Sequence, residues 1–483
     1  MNRLIVLTAG NSIIGFGHIV RCQALVSQLR NINATFYSTE DLSAIIQNEA
    51  NQNLSFQQLN RFDDILPLIS ENDIVLIDHY EISNNLIISL KSRASGIIFI
   101  DDIAERFFYA DLILNPTPGF DIFKYRGLLD TQFLIGIEYA LLRQPFQELA
   151  KQTKQVNDKN IMICFGGSDP NNLTEKALIN VLEFNFFDEI NVVMGSGYQH
   201  FERLSEAFIS DSIHFYKNLN AQEMAVLMSS NAYAIYPCSG ILLEGLAAKQ
   251  KIVSGYYIDN QKYVYQLHKK LGSFFDAISF GKSDLQHAIE QMITNKHTNS
   301  SNHLIDGKSI QRIQKHIDVL FEMQKFNIRN AIQEDVEVTF SWANDPETRK
   351  FSFSKDKILW DSHFNWFMNK INSENCIYLI LEKDTHPIGS IRFDLKDGDA
   401  LISYLIAPLN HGKGYGTILL KKGLQYIENL QGHSKFKTVT GIVQEENIAS
   451  IKTFERFGFE EVKENGNFVF TKHFIKDDEN WKS

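Results

Sequence analysis

A glycine turn near the amino terminus carries a histidine suited to acid–base chemistry. Gly15 and Gly17 flank Phe16, and His18 follows at the start of a predicted helix, after an apolar run at 4–7. Helix N-termini collect anions because orphan N–H groups and the positive dipole end meet there. The dipole also disfavours a charged imidazole, so His18 can act as a base near neutral pH. A structural turn with a helix-capping histidine is the alternative, and the spacing alone leaves both open.

Two later turns have the residue types of a phosphate site. Residues 166–169 read Gly-Gly-Ser-Asp between a predicted strand and a predicted helix, where backbone N–H groups can face a diphosphate. Ser239 and Gly240 open another helix, and Glu244 follows one turn later. A carboxylate there can accept two hydrogen bonds from ribose hydroxyls. The alternatives are an ordinary capped turn at 166–169 and a solvent-facing acid at Glu244.

A third glycine loop lies much further along the chain. Residues 411–416 read His-Gly-Lys-Gly-Tyr-Gly, after a predicted strand at 401–408 and before a helix at 417–428. Successive N–H groups of such a loop can cradle a pyrophosphate. Asn447 and Ser450 open a later helix, where they could contact a ligand or simply cap the helix.

The elements that must position these turns form two α/β blocks. Short, continuously apolar strands alternate with helical patterns, which indicates parallel sheets covered on both faces. Ligands of such sheets bind at the strands' carboxyl ends, so His18, Asp78, His79 and Asp101 could share one crevice. The predicted strands are 4–7, 34–37, 74–77, 96–100 and 112–115 in the first block, and 161–165, 190–194, 232–235 and 251–254 in the second.

Polar stretches divide the chain into three predicted domains, at 1–150, 151–325 and 326–483. Residues 151–159 read as a connector, and residues 295–303 as a loop. A helical pattern at 307–323 then closes the second domain. The polar loop at 295–303 and the new pattern that starts near Phe326 predict that the third domain folds independently.

Composition narrows the functional classes. A chain of 483 residues is too long for a single hydrophobic core. Its net charge of -11 argues against nucleic-acid or anionic-membrane partners. No apolar stretch approaches the ~20 residues of a membrane helix. The four cysteines lie far apart and form no CxxC pair, so we expect no metal site and a reducing, cytoplasmic environment. Anionic small molecules remain compatible, because they need only a local positive site.

The first 320 or so residues resemble the UDP-sugar hydrolase family of pseudaminic acid biosynthesis. The resemblance begins with the run Ile-Gly-Phe-Gly-His-x-x-Arg that ends at Arg21. It continues through 77–80, 100–102, 165–173, and Ser239-Gly240 with Glu244. It implies a GT-B-like pair of Rossmann-type domains with the active site between them. It also implies hydrolysis of UDP-2,4-diacetamido-2,4,6-trideoxy-β-L-altropyranose to UDP and free sugar.

The resemblance also assigns roles to individual residues. His18 would be the base that activates water. The substrate-binding residues it implies are Gly17, Arg21, Asp78, His79, Tyr80, Gly167, Ser168, Asn171, Ser239, Gly240 and Glu244. The family usually carries an acidic residue soon after the first strand, whereas residues 7–12 of this chain contain none. That departure concerns the sugar more than the reaction type.

The remainder of the chain resembles GNAT acyltransferases, an α+β fold that uses acetyl-CoA. The acetyl-CoA site would consist of His411, Gly412, Lys413, Gly414, Tyr415, Gly416, Asn447 and Ser450. His411 replaces the usual Arg or Gln, and Phe454 replaces the tyrosine that many members use to protonate the CoA thiolate. Tyr404 and Tyr415 are alternative donors. Trp342 and Trp366 lie in segments like the acceptor side of amino-sugar acetyltransferases, and for Trp366 we expect a core position.

Together the two resemblances imply a bifunctional enzyme with a UDP-amino-sugar and acetyl-CoA as substrates. One part would N-acetylate the 4-amine of the UDP-sugar, and the other would then remove UDP. A GT-B glycosyltransferase is one alternative, distinguished by its need for an acceptor other than water. A non-catalytic nucleotide-sugar sensor with a tethered acyltransferase is another, and it would show no turnover.

Overall fold

The computed structural model describes residues 2–10, 16–46, 54–152, 159–294, 304–430 and 436–475. Gly15 of the first glycine turn lies outside these ranges. So do most of the predicted connector at 151–159 and the whole predicted loop at 295–303. No helix in the described part of the chain combines the length and the apolar character that crossing a bilayer requires.

The first unit is built on a parallel sheet that has seven strands within the described ranges. Its strands, with a small β6–β8 pair beside them, are β1 (Asn2–Thr8), β2 (Ile32–Ser38), β3 (Leu54–Gln58), β4 (Ile74–Asp78), β5 (Gly96–Ile100), β6 (Phe107–Phe108), β7 (Leu112–Asn115), β8 (Arg126–Gly127) and β9 (Gln132–Ile135). The helices are α1 (Gly17–Val26), α2 (Ser43–Ile46), α3 (Asn84–Lys91) and α4 (Gln144–Ala150). Every residue of β4 and β5 is buried, as a sheet covered on both faces requires.

The strand order of this sheet is β3-β2-β1-β4-β5-β7-β9. The chain therefore starts in the middle, winds to one edge and then returns to extend the other. The register pairs Thr8 at the end of β1 with Asp78 at the end of β4. This is the point where the winding reverses, which in open α/β sheets is the ligand-binding crevice.

The second unit repeats this topology. Its parallel sheet, six-stranded in the described residues, has the order β12-β11-β10-β13-β14-β15. The strands are β10 (Ile161–Cys164), β11 (Ile190–Met194), β12 (Ile213–Lys217), β13 (Tyr233–Pro237), β14 (Lys251–Gly255) and β15 (Phe275–Asp276). The helices are α5 (Leu173–Leu182), α6 (Phe201–Ala207), α7 (Ala221–Ser229), α8 (Gly240–Ala247), α9 (Lys262–Leu271) and α10 (Lys282–Thr294).

The first two units exchange helices. Phe146 of α4 packs into the core of the second unit. Conversely α11 (Ser309–Glu322), the helix predicted to close the second unit, packs its apolar stripe of Ile313 and Ile317 into the core of the first. A stripe with helical spacing identifies a buried face but does not identify the core that receives it. The units are therefore joined by two crossing helices rather than by a simple connector.

The third unit has a sheet of mixed direction, in the order β16-β17-β18-β19-β20-β22-β21. Its strands are β16 (Phe326–Asn330), β17 (Cys376–Lys383), β18 (His386–Lys396), β19 (Asp399–Ile406), β20 (Thr438–Gln444), β21 (Glu460–Glu464) and β22 (Asn467–His473). The helices are α12 (Val336–Ala343), α13 (Pro346–Lys350), α14 (Trp360–Ile371), α15 (Tyr415–Asn429) and α16 (Ile448–Arg456). The parallel pairing of β19 with β20 runs only from Asp399 to Ile402, so the rest of β19 leaves its neighbour and opens the sheet.

Buried charges dock the third unit on the first. Lys421 of α15 is 1% exposed and donates to the backbone carbonyl of Asp130 at 3.0 Å and to its carboxylate. Gln425 donates to the same carboxylate at 2.7 Å. Leu129, next to Asp130, is buried in the third unit's hydrophobic core. The three units thus form one packed body.

Candidate functional site

The structure brings His18 and Asp78 together at the carboxyl edge of the first sheet. Nδ1 of His18 lies 2.7 Å from Oδ1 of Asp78, and the Asp78 side chain is fully buried. A carboxylate only accepts hydrogen bonds, so Nδ1 carries the proton and Nε2 is the basic nitrogen. Burial alone would raise the pKa of Asp78, but the charge and hydrogen bonds of Arg21, with the bond from His18, lower it to about 2. Asp78 therefore stays ionised and can stabilise an imidazolium on His18.

Arg21 holds this pair in place. Its Nε donates to Oδ2 of Asp78 and its Nη2 to Oδ1, both at 2.6 Å. Its Nη1 donates to Asp102 at 2.9 Å. The family resemblance implied that Arg21 binds substrate, whereas these contacts direct its guanidinium to two carboxylates. Its position fits the role of ordering the base.

Tyr80 completes the group, with its ring edge-on to His18 at a centroid distance of 4.9 Å. Its hydroxyl donates to Asp102 at 2.7 Å, and burial with the nearby carboxylate raises the pKa of Tyr80. The phenol therefore stays protonated. Gly17, the first residue of α1, has none of the described heavy atoms within 4 Å of a Cβ built on it.

His79 makes its contacts within its own turn and with Phe62. Its Nδ1 accepts a hydrogen bond from the N–H of Glu81 at 3.0 Å, and its ring meets Phe62 edge-on. Burial lowers the pKa of His79, so the ring stays neutral. His79 and Tyr80 line a small cavity of about 170 Å³ beside the site. Asp101, also placed after a strand, has its Oδ2 bonded to the N–H groups of its own loop.

The glycine loop of the second unit presents an open surface at the end of β10. Gly167 and Ser168 are exposed, and nothing lies within 4 Å of a Cβ built on Gly167. Asp169 caps α5 instead of facing a ligand, because its carboxylate accepts from the N–H groups of Leu173 and Thr174, both at 2.8 Å. Asn171 is exposed in the turn before that helix. Residues 166–169 therefore combine both interpretations, with Asp169 capping the helix while Gly167 and Ser168 remain exposed.

Ser239 and Gly240 form the second open turn of this sheet. Ser239 is the N-cap of α8 and its side chain makes no capping hydrogen bond, while Gly240 has open space at its Cβ position. Glu244 is not the solvent-facing acid of the alternative interpretation. Its carboxylate accepts from Nε and Nη2 of Arg143, at 2.8 and 3.0 Å. Burial raises the pKa of Glu244 and Arg143 opposes the rise.

The third unit contains a groove of about 590 Å³ where β19 leaves β20. Its lining includes the predicted cofactor residues His411, Gly412, Gly414, Tyr415, Gly416, Asn447 and Ser450. Gly412 and Gly414 adopt positive φ angles of 75° and 80°, with nothing within 4 Å of a built Cβ, so their backbone is open to a phosphate. Lys413 instead donates to Asn410 at 3.0 Å, and Nε2 of His411 lies 2.8 Å from the Ile406 carbonyl.

At the inner end of this groove, Tyr404 faces Ser450. The Tyr404 hydroxyl donates to Oγ of Ser450 at 3.1 Å, and burial raises the pKa of Tyr404, so the phenol holds its proton. Asn447 caps α16 by accepting from the N–H of Ser450, as the structural alternative anticipated. Phe454 is buried and stacks on Phe470 at 5.0 Å. Of the two candidate thiolate acids, Tyr415 already accepts a hydrogen bond from Lys383 at 2.9 Å.

A second cavity, of about 320 Å³, adjoins the groove and shares Tyr404 and Leu405 with it. Trp366 is half-buried against the small hydrophobic core that contains Phe367, as expected, and it also lines this cavity with the Arg392 guanidinium 4.9 Å from its ring. Serine and threonine hydroxyls line much of the rest. Trp342, by contrast, is 6% exposed and belongs to the core.

Several residues of these sites were not predicted from the sequence. Asp102 holds Arg21, Arg143 holds Glu244, and Arg392 and Ser403 line the second cavity of the third unit. A strand-end position was a usable signal for Asp102, which follows β5. No local signal identified Arg143, because its partner Glu244 lies 101 residues away. In the described ranges no three His, Cys, Asp or Glu side chains are grouped in a way that could hold a metal ion.

Comparison with known proteins identifies the third unit. The family model described as Acetyltransferase (GNAT) domain matches residues 325–460. An uncharacterized protein of Methanocaldococcus jannaschii is 28% identical over 489 residues, covering 95% of this chain and 97% of its own. The spore coat polysaccharide biosynthesis protein SpsG of Bacillus subtilis is 23% identical over 327 residues, covering 64% of this chain and 96% of its own.

Solved structures align with 31% of this chain. A domain from M. jannaschii aligns over 99% of its length with 25% identity and a TM-score of 0.28. Spermidine N-acetyltransferase from Vibrio cholerae, in complex with CoA and spermine, aligns over 94% of its length with 17% identity and a TM-score of 0.28. The family match makes the third unit a GNAT acetyltransferase domain with acetyl-CoA as its co-substrate, within a chain of mixed α/β architecture.

Proposed function

We propose that the first two units form a GT-B-like hydrolase that removes UDP from a UDP-2,4-diacetamido-2,4,6-trideoxy-sugar of pseudaminic acid biosynthesis. The observation that carries this proposal is the His18–Asp78 pair at the point where the first sheet reverses its winding. A buried carboxylate that fixes the tautomer of a histidine leaves a basic nitrogen for water. Two open turns at strand ends of the second sheet are suited to the diphosphate.

In the proposed reaction, Nε2 of His18 takes a proton from water as the water oxygen attacks the anomeric carbon. The bond from that carbon to the phosphate oxygen breaks, and its electron pair leaves with UDP. Asp78 stabilises the imidazolium that forms. N–H groups at Ser168 and Gly240 stabilise the charge on the departing diphosphate. Attack from the face opposite the leaving group inverts the anomeric centre.

Glu244 is proposed to hold the ribose. Its pairing with Arg143 fixes the carboxylate in one orientation, and each carboxylate oxygen has lone pairs beyond those the guanidinium uses. Asn171, exposed before α5, is proposed to contact the substrate from the same edge. His79 would contribute to the sugar side through the 170 Å³ cavity.

We propose that the acetyltransferase unit acetylates the 4-amine of the UDP-sugar precursor. The amine attacks the thioester carbonyl, the C–S bond breaks, and Tyr404 gives the departing CoA sulfur a proton while the amine loses one to solvent. The 320 Å³ cavity beside the groove, which we call the acceptor-side cavity, is suited to a sugar because Trp366 and several hydroxyls line it. Its described lining contains no carboxylate and includes Arg392, which is unfavourable for a polycation such as a polyamine.

The relatives support the joint assignment. The M. jannaschii protein aligns over nearly its whole length, so the alignment spans all three units. The name of the B. subtilis protein places that protein in polysaccharide biosynthesis, and its 327 aligned residues equal about the length of the two parallel-sheet units. We propose that the protein acts in the cytoplasm. Its four cysteines are free thiols, which suits a reducing compartment, and the two proposed substrates suit the same compartment.

The test is mass spectrometry of the products from the UDP-4-amino-sugar, with acetyl-CoA, in water enriched in ¹⁸O. We expect an acetylated free sugar that carries one ¹⁸O, together with unlabelled UDP. Label in UDP would overturn attack at the anomeric carbon. Release of UDP only after addition of an acceptor sugar would favour a glycosyltransferase, and no turnover of either kind would overturn the catalytic assignment.

A further inference from the structure

Arg106 is a fixed cation in the 170 Å³ cavity beside the His18 site. Its Nη2 donates to the Ile82 carbonyl and to Oδ1 of Asn84, the latter at 3.0 Å. Its guanidinium carbon lies 5.8 Å from the centre of the Phe99 ring. These contacts hold one edge of the guanidinium against the protein.

The other nitrogens of Arg106 are buried without partners. Neither Nε nor Nη1 has a hydrogen bond to any of the described residues. An unsatisfied buried donor costs about 1–3 kcal/mol, so these N–H groups call for acceptor atoms from outside the chain. Asp101 does not meet that need with its Oδ2, which accepts from Ala104 at 2.8 Å and from Tyr125 at 3.0 Å.

The cavity has both polar and apolar walls. Phe99, Ile100 and Ile103 contribute apolar surface, while Asp101 and Glu105 contribute carboxylates. Its volume holds about five water-sized groups at ~30 Å³ each. Tyr80 lines the cavity and also contacts the His18 ring edge-on, so a single side chain links the cavity to the proposed base.

We propose that this cavity binds the N-acetyl group of the sugar, with Arg106 donating to the amide carbonyl oxygen and the apolar wall receiving the methyl group. An anionic group would be repelled by Asp101 and Glu105. An ammonium group, which has only donors, would leave the Arg106 N–H groups unpaired. The site would therefore accept the acetylated sugar and reject the free amine, so that hydrolysis follows acetylation. This inference rests on the proposed function.

The test compares two full-length variants with the wild-type chain. Arg106→Met keeps the length of the side chain without N–H groups, and Arg106→Lys keeps the charge. UDP release is measured from the diacetamido UDP-sugar and from its 4-amino precursor, without acetyl-CoA. We expect wild type to favour the acetylated sugar in kcat/KM, and both variants to reduce that preference at least about tenfold, the scale of an unpaired buried donor.

Two controls separate a local effect from misfolding. Arg93→Met removes an exposed guanidinium of the same unit, which lies 3.4 Å from the Leu66 carbonyl, and should leave the preference unchanged. The acetyltransferase activity of each variant reports whether the chain is folded. An unchanged preference in folded Arg106 variants, or a wild type without preference, would overturn this inference alone. A wild type that releases UDP from neither sugar would overturn the proposed function as well.

Discussion

The Nζ atom of Lys421 lies 2.9 Å from Oδ1 of Asp111, and both side chains are almost wholly buried although they belong to different folding units. Lys91 approaches the same carboxylate at 3.0 Å, and its charge adds to that of Lys421 in lowering the pKa of Asp111 against the effect of burial. Removing one partner from such a cluster leaves an uncompensated buried charge, which is far more costly than losing a surface ion pair.

We therefore expect Asp130→Asn to destabilise the chain by on the order of 3 kcal/mol in denaturant unfolding, because Lys421 loses one of its two carboxylate partners and keeps only Asp111, which Lys91 shares. Glu183→Gln is the matched control. It breaks an exposed pair with Lys282, whose side chain is 67% exposed, and should cost less than about 1 kcal/mol. Equal, small effects of the two variants would contradict a structural role for the buried cluster.

The same interface makes a pH prediction. Burial, with Asp130 adding to it, raises the pKa of Glu428 to about 7. Between about pH 4.3 and 7 the folded state thus holds a proton that the unfolded state has lost, so this group's contribution to stability falls as pH rises. The free energy of unfolding of Glu428→Gln, measured relative to wild type, should therefore rise by about 1–3 kcal/mol from pH 5 to pH 8. Glu290→Gln, an exposed acid, should show no such change.

For the hydrolytic site, His18→Ala should lower the rate of UDP release by about 10²–10⁴-fold, the range of a lost general base. UDP affinity by calorimetry should stay close to wild type, since the turns proposed for the diphosphate lie in the second unit. His287→Ala removes an exposed imidazole on α10 and serves as the control. Near wild-type hydrolysis by His18→Ala would refute the base assignment.

Glu244→Gln should weaken UDP binding by roughly 1.5–3 kcal/mol, the scale of hydrogen bonds to a charged acceptor. The amide also loses one of the two acceptors that hold Arg143. The control is Glu175→Gln in the same unit, which breaks the ion pair between Glu175 of α5 and Arg203 of α6. Unchanged UDP affinity in Glu244→Gln would leave Glu244 with only its structural pairing to Arg143.

In the acetyltransferase unit, Tyr404→Phe should lower kcat more than Phe454→Tyr raises it. Tyr404 already presents a hydroxyl between the groove and the acceptor-side cavity. A hydroxyl on Phe454 would enter an aromatic cluster with Phe470 and Phe459. We expect Phe454→Tyr to change the rate by less than about tenfold, or ~1.4 kcal/mol. An inactive wild type that Phe454→Tyr restores would reverse this assignment.

Local signals predicted much of the fold and part of the site. The strands at 112–115 and 190–194 have the predicted bounds, because a continuous apolar run is a local property of the sequence. The meeting of His18 with Asp78 was also predicted, since Asp78 ends β4 and His18 lies in the helix that follows the neighbouring parallel strand β1.

Long-range partners could not be predicted in the same way. The pairing of Lys421 with Asp130 spans 291 residues, and a lysine in a helix normally indicates a solvated face. The sequence therefore predicted an independent third unit, whereas a fragment that starts near residue 325 would lack the carboxylates that neutralise Lys421. Arg21 was assigned to substrate for a similar reason, because its two carboxylate partners lie 57 and 81 residues away.

The position of α11 has a consequence for how the chain emerges from the ribosome. Ile310, Ile313, Ile317 and Leu320 cover the core built by the first strands, although they are synthesised after the whole second sheet. The first sheet thus has an open apolar face while some two hundred residues are still being added. The second unit does not have to wait in this way, because α4, which packs into its core, is synthesised before its strands. Its core can therefore be completed before that of the first unit. The unit at the amino terminus is therefore the later of the two to mature, and nascent chains cut short before residue 320 would expose that apolar face to chaperones and proteases.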